Sequence, residues 1–131
     1  MNATEVPEVS IVLPCLNEAQ TVARCVEKAL AACASSGLRG EVVVSDNGSI
    51  DGSPELAASA GARVVLESRR GYGSAYLRGI AIARAPIIVM ADADDTYDLQ
   101  EIPRLVSKIR EGYEIVLGSR LGGTILPGAM P

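Results

Sequence analysis

Short apolar runs rich in β-branched residues recur along this chain. Each is followed by a polar or glycine-rich loop, and all but the last by a segment of helical spacing. The runs are Val9-Ser-Ile-Val-Leu13, Glu41-Val-Val-Val-Ser45, Arg63-Val-Val-Leu66, Ile87-Ile-Val-Met90 and Glu114-Ile-Val-Leu117. Continuous rather than alternating apolar character marks strands covered on both faces. Between the first two runs, Val22, Val26, Ala29, Leu30 and Cys33 recur at helical spacing until Gly37, with Asn17 as predicted N-cap and Gln20 completing a partial capping box. Ser53 and Pro54 predict the N-cap and first residue of a short helix ending at Gly61. A third helix is predicted over Ser74 to Ala85, packing Ala75, Gly79, Ile80 and Ala83. A fourth runs from Glu101 to Arg110, with Pro103 in its first turn, Ile102, Leu105, Val106 and Ile109 as its buried stripe, and Gly112 at C′. Leu121 to Pro131, rich in glycine and proline, predicts no element. Five strands alternating with four helices imply an open, mostly parallel α/β sheet with helices on both faces and right-handed crossovers.

Sheets of this kind bind ligands beyond the carboxyl ends of their strands, where strand order reverses. The chain's chemistry-bearing residues fall there. Asn17 and Glu18 follow the first strand, Asp46 and Asn47 the second, and Arg69 and Arg70 the third. Asp92, Asp94 and Asp95 follow the fourth, and Arg120 the fifth. A charged or amide side chain at every strand end describes a polar rim, not five unrelated loops.

Composition narrows what that rim does. The 131 residues are 48% hydrophobic and 21% charged, which suits one domain with its own core. Twelve basic against sixteen acidic residues give a net charge of −4, which argues against nucleic acid as a partner. The chain has no histidine, so Ser-His-Asp and Cys-His nucleophiles and His-ligated zinc are excluded unless a second chain supplies the imidazole. Cys15, Cys25 and Cys33 are odd in number and form no CxxC, which points to a reducing compartment and, for Cys25 and Cys33, to small buried core thiols. Met1 to Glu8 is not a signal peptide, and no apolar stretch approaches the roughly 20 residues that span a bilayer. The expected location is cytoplasmic, including the cytoplasmic face of a membrane.

Asp92 and Asp94 alternate about Ala93, so in extended chain their carboxylates point to one side. Hard oxygens without imidazole or thiolate select Mg²⁺ or Mn²⁺, ions that share phosphate oxygens. Alone, such a pair serves equally well to solvate a loop and cap the next helix. Asp46-Asn-Gly-Ser49 is a good turn, or it carries a hydrogen bond from Asp46 or Asn47 to a base or ribose. Arg69-Arg-Gly-Tyr-Gly73 is only a fragment of a glycine-rich phosphate loop, with Tyr76 where the last glycine of a dinucleotide fingerprint would stand. One of its arginines suits a phosphate; the other reading is a solvated loop.

Five motifs in order carry a family resemblance: Ile11-Val-Leu-Pro-Cys-Leu-Asn-Glu18, Ser45-Asp-Asn-Gly-Ser-Ile-Asp-Gly52, Arg70-Gly-Tyr-Gly73, Ala91-Asp-Ala-Asp-Asp-Thr-Tyr97 and Leu117-Gly-Ser-Arg120. From Val9 to Pro131 the chain resembles the family-2 glycosyltransferases of A-type, Rossmann-like fold, and within them the dolichol- and polyprenyl-phosphate sugar synthases. The resemblance implies inverting transfer of a sugar from a nucleotide diphosphate donor, a UDP- or GDP-sugar, to an acceptor such as a polyprenyl or dolichyl phosphate. It implies that Pro14, Asn17 and Glu18 border the nucleoside and that Asp46 contacts base or ribose; Asn47, Arg70 and Gly71 complete the expected nucleotide-sugar-binding residues. It implies that Asp92 and Asp94 hold Mg²⁺ or Mn²⁺ with the donor diphosphate, Asp94 as a catalytic residue, and that Arg120 meets the acceptor phosphate as the second. Two departures stand out: Asn47 replaces a second aspartate, and Thr96 replaces a glutamine that mannosyl-phosphate synthases often place beside the metal.

An anionic acceptor needs no general base, which reconciles a transferase with a chain lacking histidine. Family members continue through an acceptor-side segment and often C-terminal membrane helices. The expectation is therefore one donor-binding domain over residues 1–131, truncated on the acceptor side, with apolar surface that would favour self-association and membrane attachment through the missing part. Two alternatives are a non-catalytic nucleotide-binding module completed by a partner chain, and a nucleotidyltransferase. The second lacks its usual support, since Pro14-Cys-Leu-Asn-Glu18 is neither glycine-rich nor basic.

Overall fold

The computed structural model describes residues 6–95, 98–111, 115–117 and 124–126. Four strands form one parallel sheet: β1 (Val9–Cys15), β2 (Gly40–Asp46), β3 (Arg63–Leu66) and β4 (Ile87–Met90), in spatial order β3-β2-β1-β4. Helices α1 (Val22–Ser35), α2 (Ser53–Ala60) and α3 (Tyr72–Ile82) make the crossovers, and a 3₁₀ turn (Leu99–Glu101) leads into α4 (Ile102–Arg110). The predicted alternation is present, with helix limits shifted by a few residues.

Every residue of β1 is buried, as its unbroken apolar run requires. Its outward sides alternate. Val9, Ile11 and Leu13 join Val42, Val44 and Val89 in a core closed by Val22, Cys25, Val26 and Ala29 of α1, Ala57 of α2, and Ile102, Leu105 and Val106 of α4. Val12 and Ser45 lie on the opposite face beneath α3, where a Cβ on Gly79 would collide with the Val12 side chain. Glycine at position 79 thus lets α3 rest directly on β1. Right-handed crossovers explain the two layers: β1 to β3 progresses one way with helices on one face, so the return from β3 to β4 puts its helix on the other.

Strands β1 and β4 part company at a proline. The Val12 carbonyl accepts from the Ala91 amide (3.1 Å) and the Cys15 carbonyl from the Asn47 amide (2.9 Å), so even positions of β1 face β4. Pro14 falls two residues past the Val12 bond on the β4-facing side, so its missing N–H ends the ladder to β4 and leaves the pairing with β2 intact. Paired register confirms the geometry: β4 runs out opposite Val12, while β2 accompanies β1 as far as Cys15. A notch therefore opens between the ends of β1 and β4, at the reversal of strand order.

One element differs from expectation. Residues Ile115–Leu117 (β5) do not extend the sheet but pair antiparallel with β6 (Thr124–Leu126), a strand in the stretch read as featureless. Packing explains the difference: α4 lies on the α1 side, and a right-handed crossover there would return a parallel strand to the place β1 already holds.

At the amino ends of the strands, Glu41 is 4% exposed and fully engaged. Its carboxylate accepts from the Ser10 hydroxyl (2.6 Å), the Arg84 amide (2.8 Å) and guanidinium (3.3 Å), and the Arg63 guanidinium (2.6 Å). Burial pushes its pKa up, but the bonds from Ser10, Arg84 and Arg63 outweigh burial and hold it below the ordinary 4.5. A depressed folded pKa contributes stability that is complete above the unfolded value and fades as pH falls through the folded one. Glu41→Gln is expected to lower the unfolding free energy by about 2 kcal/mol at pH 7, at the low end for a buried pair because both guanidinia are part exposed. Urea titrations at pH 7 and below 4.5 check this, and the variant should lose less on acidification than the parent.

Candidate functional site

The first two strand ends are stapled to each other. The Asn17 amide N–H donates to Ser49 Oγ (2.8 Å), and Asn17 Oδ1 accepts from the Ile50 amide (2.9 Å). The Glu18 amide donates to Ser53 Oγ (2.9 Å) and the Ala19 amide to Asp51 Oδ2 (3.0 Å). Asn17 holds a left-handed φ of 55°, which asparagine tolerates better than most residues. This overturns its expected place as helix cap: α1 begins at Val22, Thr21 is the N-cap residue, and the Asn17 side chain is committed to the neighbouring loop. Similarly, α2 is preceded by Gly52, not capped by Ser53.

Asp46 and Asn47 sustain the loops beside them. Asp46 is 1% exposed, and its carboxylate accepts from the amides of Gly48 (3.0 Å) and Ser49 (2.8 Å) and from the Ser49 hydroxyl (2.6 Å). Asn47 donates from Nδ2 to the carbonyls of Glu67 (2.9 Å) and Arg69 (2.7 Å), and its Oδ1 accepts from the Gly71 amide (2.8 Å). An aspartate there would turn a carboxylate toward two carbonyl oxygens, which accounts for the amide at this position. In this structure both side chains hydrogen-bond to the scaffold.

The loop that Asn47 secures ends at Gly71, whose φ of 116° is strained for any side-chain-bearing residue. Beyond it α3 begins with no side-chain cap for its first amides. Here lies a hollow of about 370 Å³, lined by Pro14, Cys15, Leu16, Asn47, Arg70, Gly71, Tyr72 and Ala75. Its lining is mostly apolar, with Asn47, Arg70 and the Tyr72 phenol as the polar side chains. Burial and the Asp46 charge push the Cys15 thiol up to about 11, so it contributes a neutral wall and no nucleophile.

On the β4 side, Ala93 is buried in the core while Asp92 and Asp94 are only half-buried, so the two carboxylates lie on the side away from the core. The Tyr76 hydroxyl donates to Asp92 Oδ1 (3.2 Å), and the Thr21 hydroxyl donates to the Ala93 carbonyl (2.6 Å), tying α3 and α1 to this turn. Asp95 takes a left-handed φ of 64° and accepts from Arg24 (3.1 Å) and Lys28 (2.9 Å), which draw its pKa down. The field around the pair is negative. Burial, then Asp94, pushes the Glu18 carboxyl up, with smaller contributions from Asp51 and Asp92. Asp92, burial, Asp94 and Glu18 push the Tyr72 phenol up, and burial with Asp92 does the same for Tyr76. Among the described residues no three acidic or thiol side chains are close enough to cage a metal ion. Two carboxylates in a negative hollow suit an ion that takes its remaining ligands from a phosphate-bearing molecule.

The structure therefore gathers Pro14, Asn47, Arg70 and Gly71 around one hollow and Glu18, Asp92 and Asp94 around an adjoining acidic corner. Asn17 and Asp46 brace the loops between them. Arg120, the expected acceptor-side arginine, lies outside the described residues. Sequence reasoning missed Tyr72 and Tyr76. Their i, i+4 spacing immediately after Gly71 was the available signal, since it places both on one helix face.

Comparison with known proteins gives this arrangement a family. The glycosyl transferase family 2 model matches residues 10–128, and the chain belongs to that family. It is 46% identical over 126 residues to the low-salt glycan biosynthesis hexosyltransferase Agl6 of Haloferax volcanii, covering 95% of this chain and 30% of that protein. It is 40% identical over 83 residues to a dolichyl-phosphate hexose transferase of the same organism, covering 63% and 36%. The chain thus spans about a third of the length of these relatives. Among solved structures, glucosyl-3-phosphoglycerate synthase from Mycobacterium tuberculosis, in complex with Mg²⁺ and uridine diphosphate, has a TM-score of 0.64 and 28% identity, covering 79% of this chain and 39% of its own.

The clamp at Asn47 makes a direct prediction. Asn47→Asp exchanges two donors for an acceptor facing two carbonyls, and is expected to cost about 3 kcal/mol of stability. Urea denaturation measures that cost, and faster hydrogen exchange at Gly71 would localise it.

Proposed function

We propose that this chain is the donor-binding part of a metal-dependent, inverting glycosyltransferase that moves a hexose from a nucleoside diphosphate to a polyprenyl phosphate. The observation that carries the reading is the half-buried Asp92 and Asp94 pair, on either side of core-buried Ala93, at the reversal of strand order beside the hollow. Similarity to a dolichyl-phosphate hexose transferase and to a synthase crystallised with Mg²⁺ and uridine diphosphate supports the substrate classes.

In this reading the nucleoside occupies the hollow. Pro14, Leu16 and Ala75 supply apolar wall, and the exposed Tyr72 ring is available to a base at the mouth. Arg70 and the uncapped amides at the start of α3 face the phosphates. Asp46, Asn47 and Asn17 act at one remove, keeping the three loops at their spacing. Asp92 and Asp94 would hold Mg²⁺ or Mn²⁺. Bound there, such an ion stabilises the negative charge that develops on the departing diphosphate.

The acceptor phosphate oxygen attacks the anomeric carbon from the face opposite the diphosphate. The new carbon–oxygen bond forms as the old one breaks, and the bonding pair leaves with the nucleoside diphosphate. One displacement inverts the anomeric centre, and an anionic nucleophile requires no proton transfer. Arg120 is proposed to neutralise that acceptor phosphate.

Thermal denaturation with uridine diphosphate or guanosine diphosphate, with and without Mn²⁺, tests the assignment. At about a hundredfold excess over Kd the matching nucleotide stabilises by about 2.7 kcal/mol, a shift of several degrees. Asp94→Ala is expected to remove the Mn²⁺-dependent part of that shift. A full Mn²⁺ response in this variant would place the cation elsewhere. With the sugar donor and polyprenyl phosphate supplied, release of nucleoside diphosphate rather than pyrophosphate identifies sugar transfer.

A further inference from the structure

In the acidic corner, the Asp92 carboxylate is approached by a phenol. Tyr76 lies on α3, on the opposite face of the sheet from α1 and α4, and reaches over the end of β4 to place its hydroxyl 3.2 Å from Asp92 Oδ1. The backbone makes that reach exact in height. Ala75 is buried against the strands, and Gly79, one turn beyond Tyr76, has no Cβ to hold the helix away from Val12. The chain has only four tyrosines and no phenylalanine or tryptophan, so an aromatic ring at this point is not routine core filling. The ring is half-buried and its polar end points at a carboxylate.

We propose that Tyr76 is a positioning residue for the donor site: by donating to Oδ1 it fixes the rotamer of Asp92 and leaves Oδ2 for a divalent cation. The inference rests on the reading of Asp92 and Asp94 as cation ligands. A carboxylate free to rotate must be ordered each time an ion binds, whereas one already held by a phenol presents its open oxygen in place. Outer partners of metal-binding side chains typically change affinity by about 10- to 100-fold when removed. Tyr76 also belongs to the crossover that reverses strand order, so the same helix that borders the hollow at Tyr72 and Ala75 sets the acidic corner beside it.

The test is a mutant cycle read by Mn²⁺ affinity, not by turnover. Tyr76→Phe, Asp92→Asn and the double variant are titrated with Mn²⁺ in saturating uridine diphosphate, with free Mn²⁺ followed by electron paramagnetic resonance. Nucleotide binding without metal and the thermal midpoint are recorded alongside. Tyr76→Phe keeps the ring and its packing, so its metal-free nucleotide affinity is expected to stay within about twofold while its Mn²⁺ affinity falls about tenfold. In the Asp92→Asn background the same change should have no further effect, because the group through which Tyr76 acts is gone. Mn²⁺ affinity within twofold of the parent in Tyr76→Phe would overturn the proposal, as would an equal loss in both backgrounds. If Asp92→Asn itself leaves Mn²⁺ binding intact, the reading of the acidic pair fails, independently of Tyr76.

Discussion

The handedness of the crossovers is the constraint on which the rest depends. Two right-handed steps carry the chain from β1 to β3 with their helices on one face. The return to β4 must then place α3 on the other. That reversal sets β4 beside β1, and Pro14 releases β1 from β4 just past the end of their pairing at Val12. The hollow and the acidic corner are the two halves of the resulting notch. Gly79 matters at a distance for the same reason, since the closeness of α3 to β1 decides where Tyr72 and Tyr76 arrive.

Around the notch the motif residues divide their work. Asn17, Asp46, Asn47, Asp51 and Ser53 spend their polar atoms on neighbouring backbone or on one another. Each satisfies an amide or carbonyl that a tight loop over a sheet edge would leave without a partner. Arg70, Asp92 and Asp94 stand beside the hollow on the surface those loops create. Many of the polar groups at the strand ends are therefore engaged within the protein. Much of that engagement is the cost of shaping loops without regular secondary structure.

Much of this was legible beforehand. Unbroken apolar runs specify buried parallel strands because both faces must be covered, and the four runs from Val9 to Met90 form one sheet as expected. Helical spacing located all four helices. The Asp-x-Asp alternation placed Ala93 in the core and its neighbours outside it. Capping was less legible. Asn17 carries a fitting side chain at a fitting distance from a helix, yet its oxygen goes to Ile50, thirty-three residues away. Local sequence scores a cap against solvent, while the folded chain offers a competing amide from another loop. The fifth run misled for a similar reason: its composition specifies a strand, but the side on which α4 packs decides which strand it pairs with.

What the order of residues determined alone is the layered α/β class, the buried lengths of the strands, and the concentration of polar groups at one end of the sheet. These follow from periodicity and burial, which neighbouring residues settle among themselves. Only the tertiary structure decided which of those polar groups brace loops and which line the notch, and that a tyrosine from the opposite layer reaches Asp92. Asp46 apart, those outcomes depend on contacts between residues 16 to 72 positions apart, set by crossover handedness and helix packing. No local pattern encodes them.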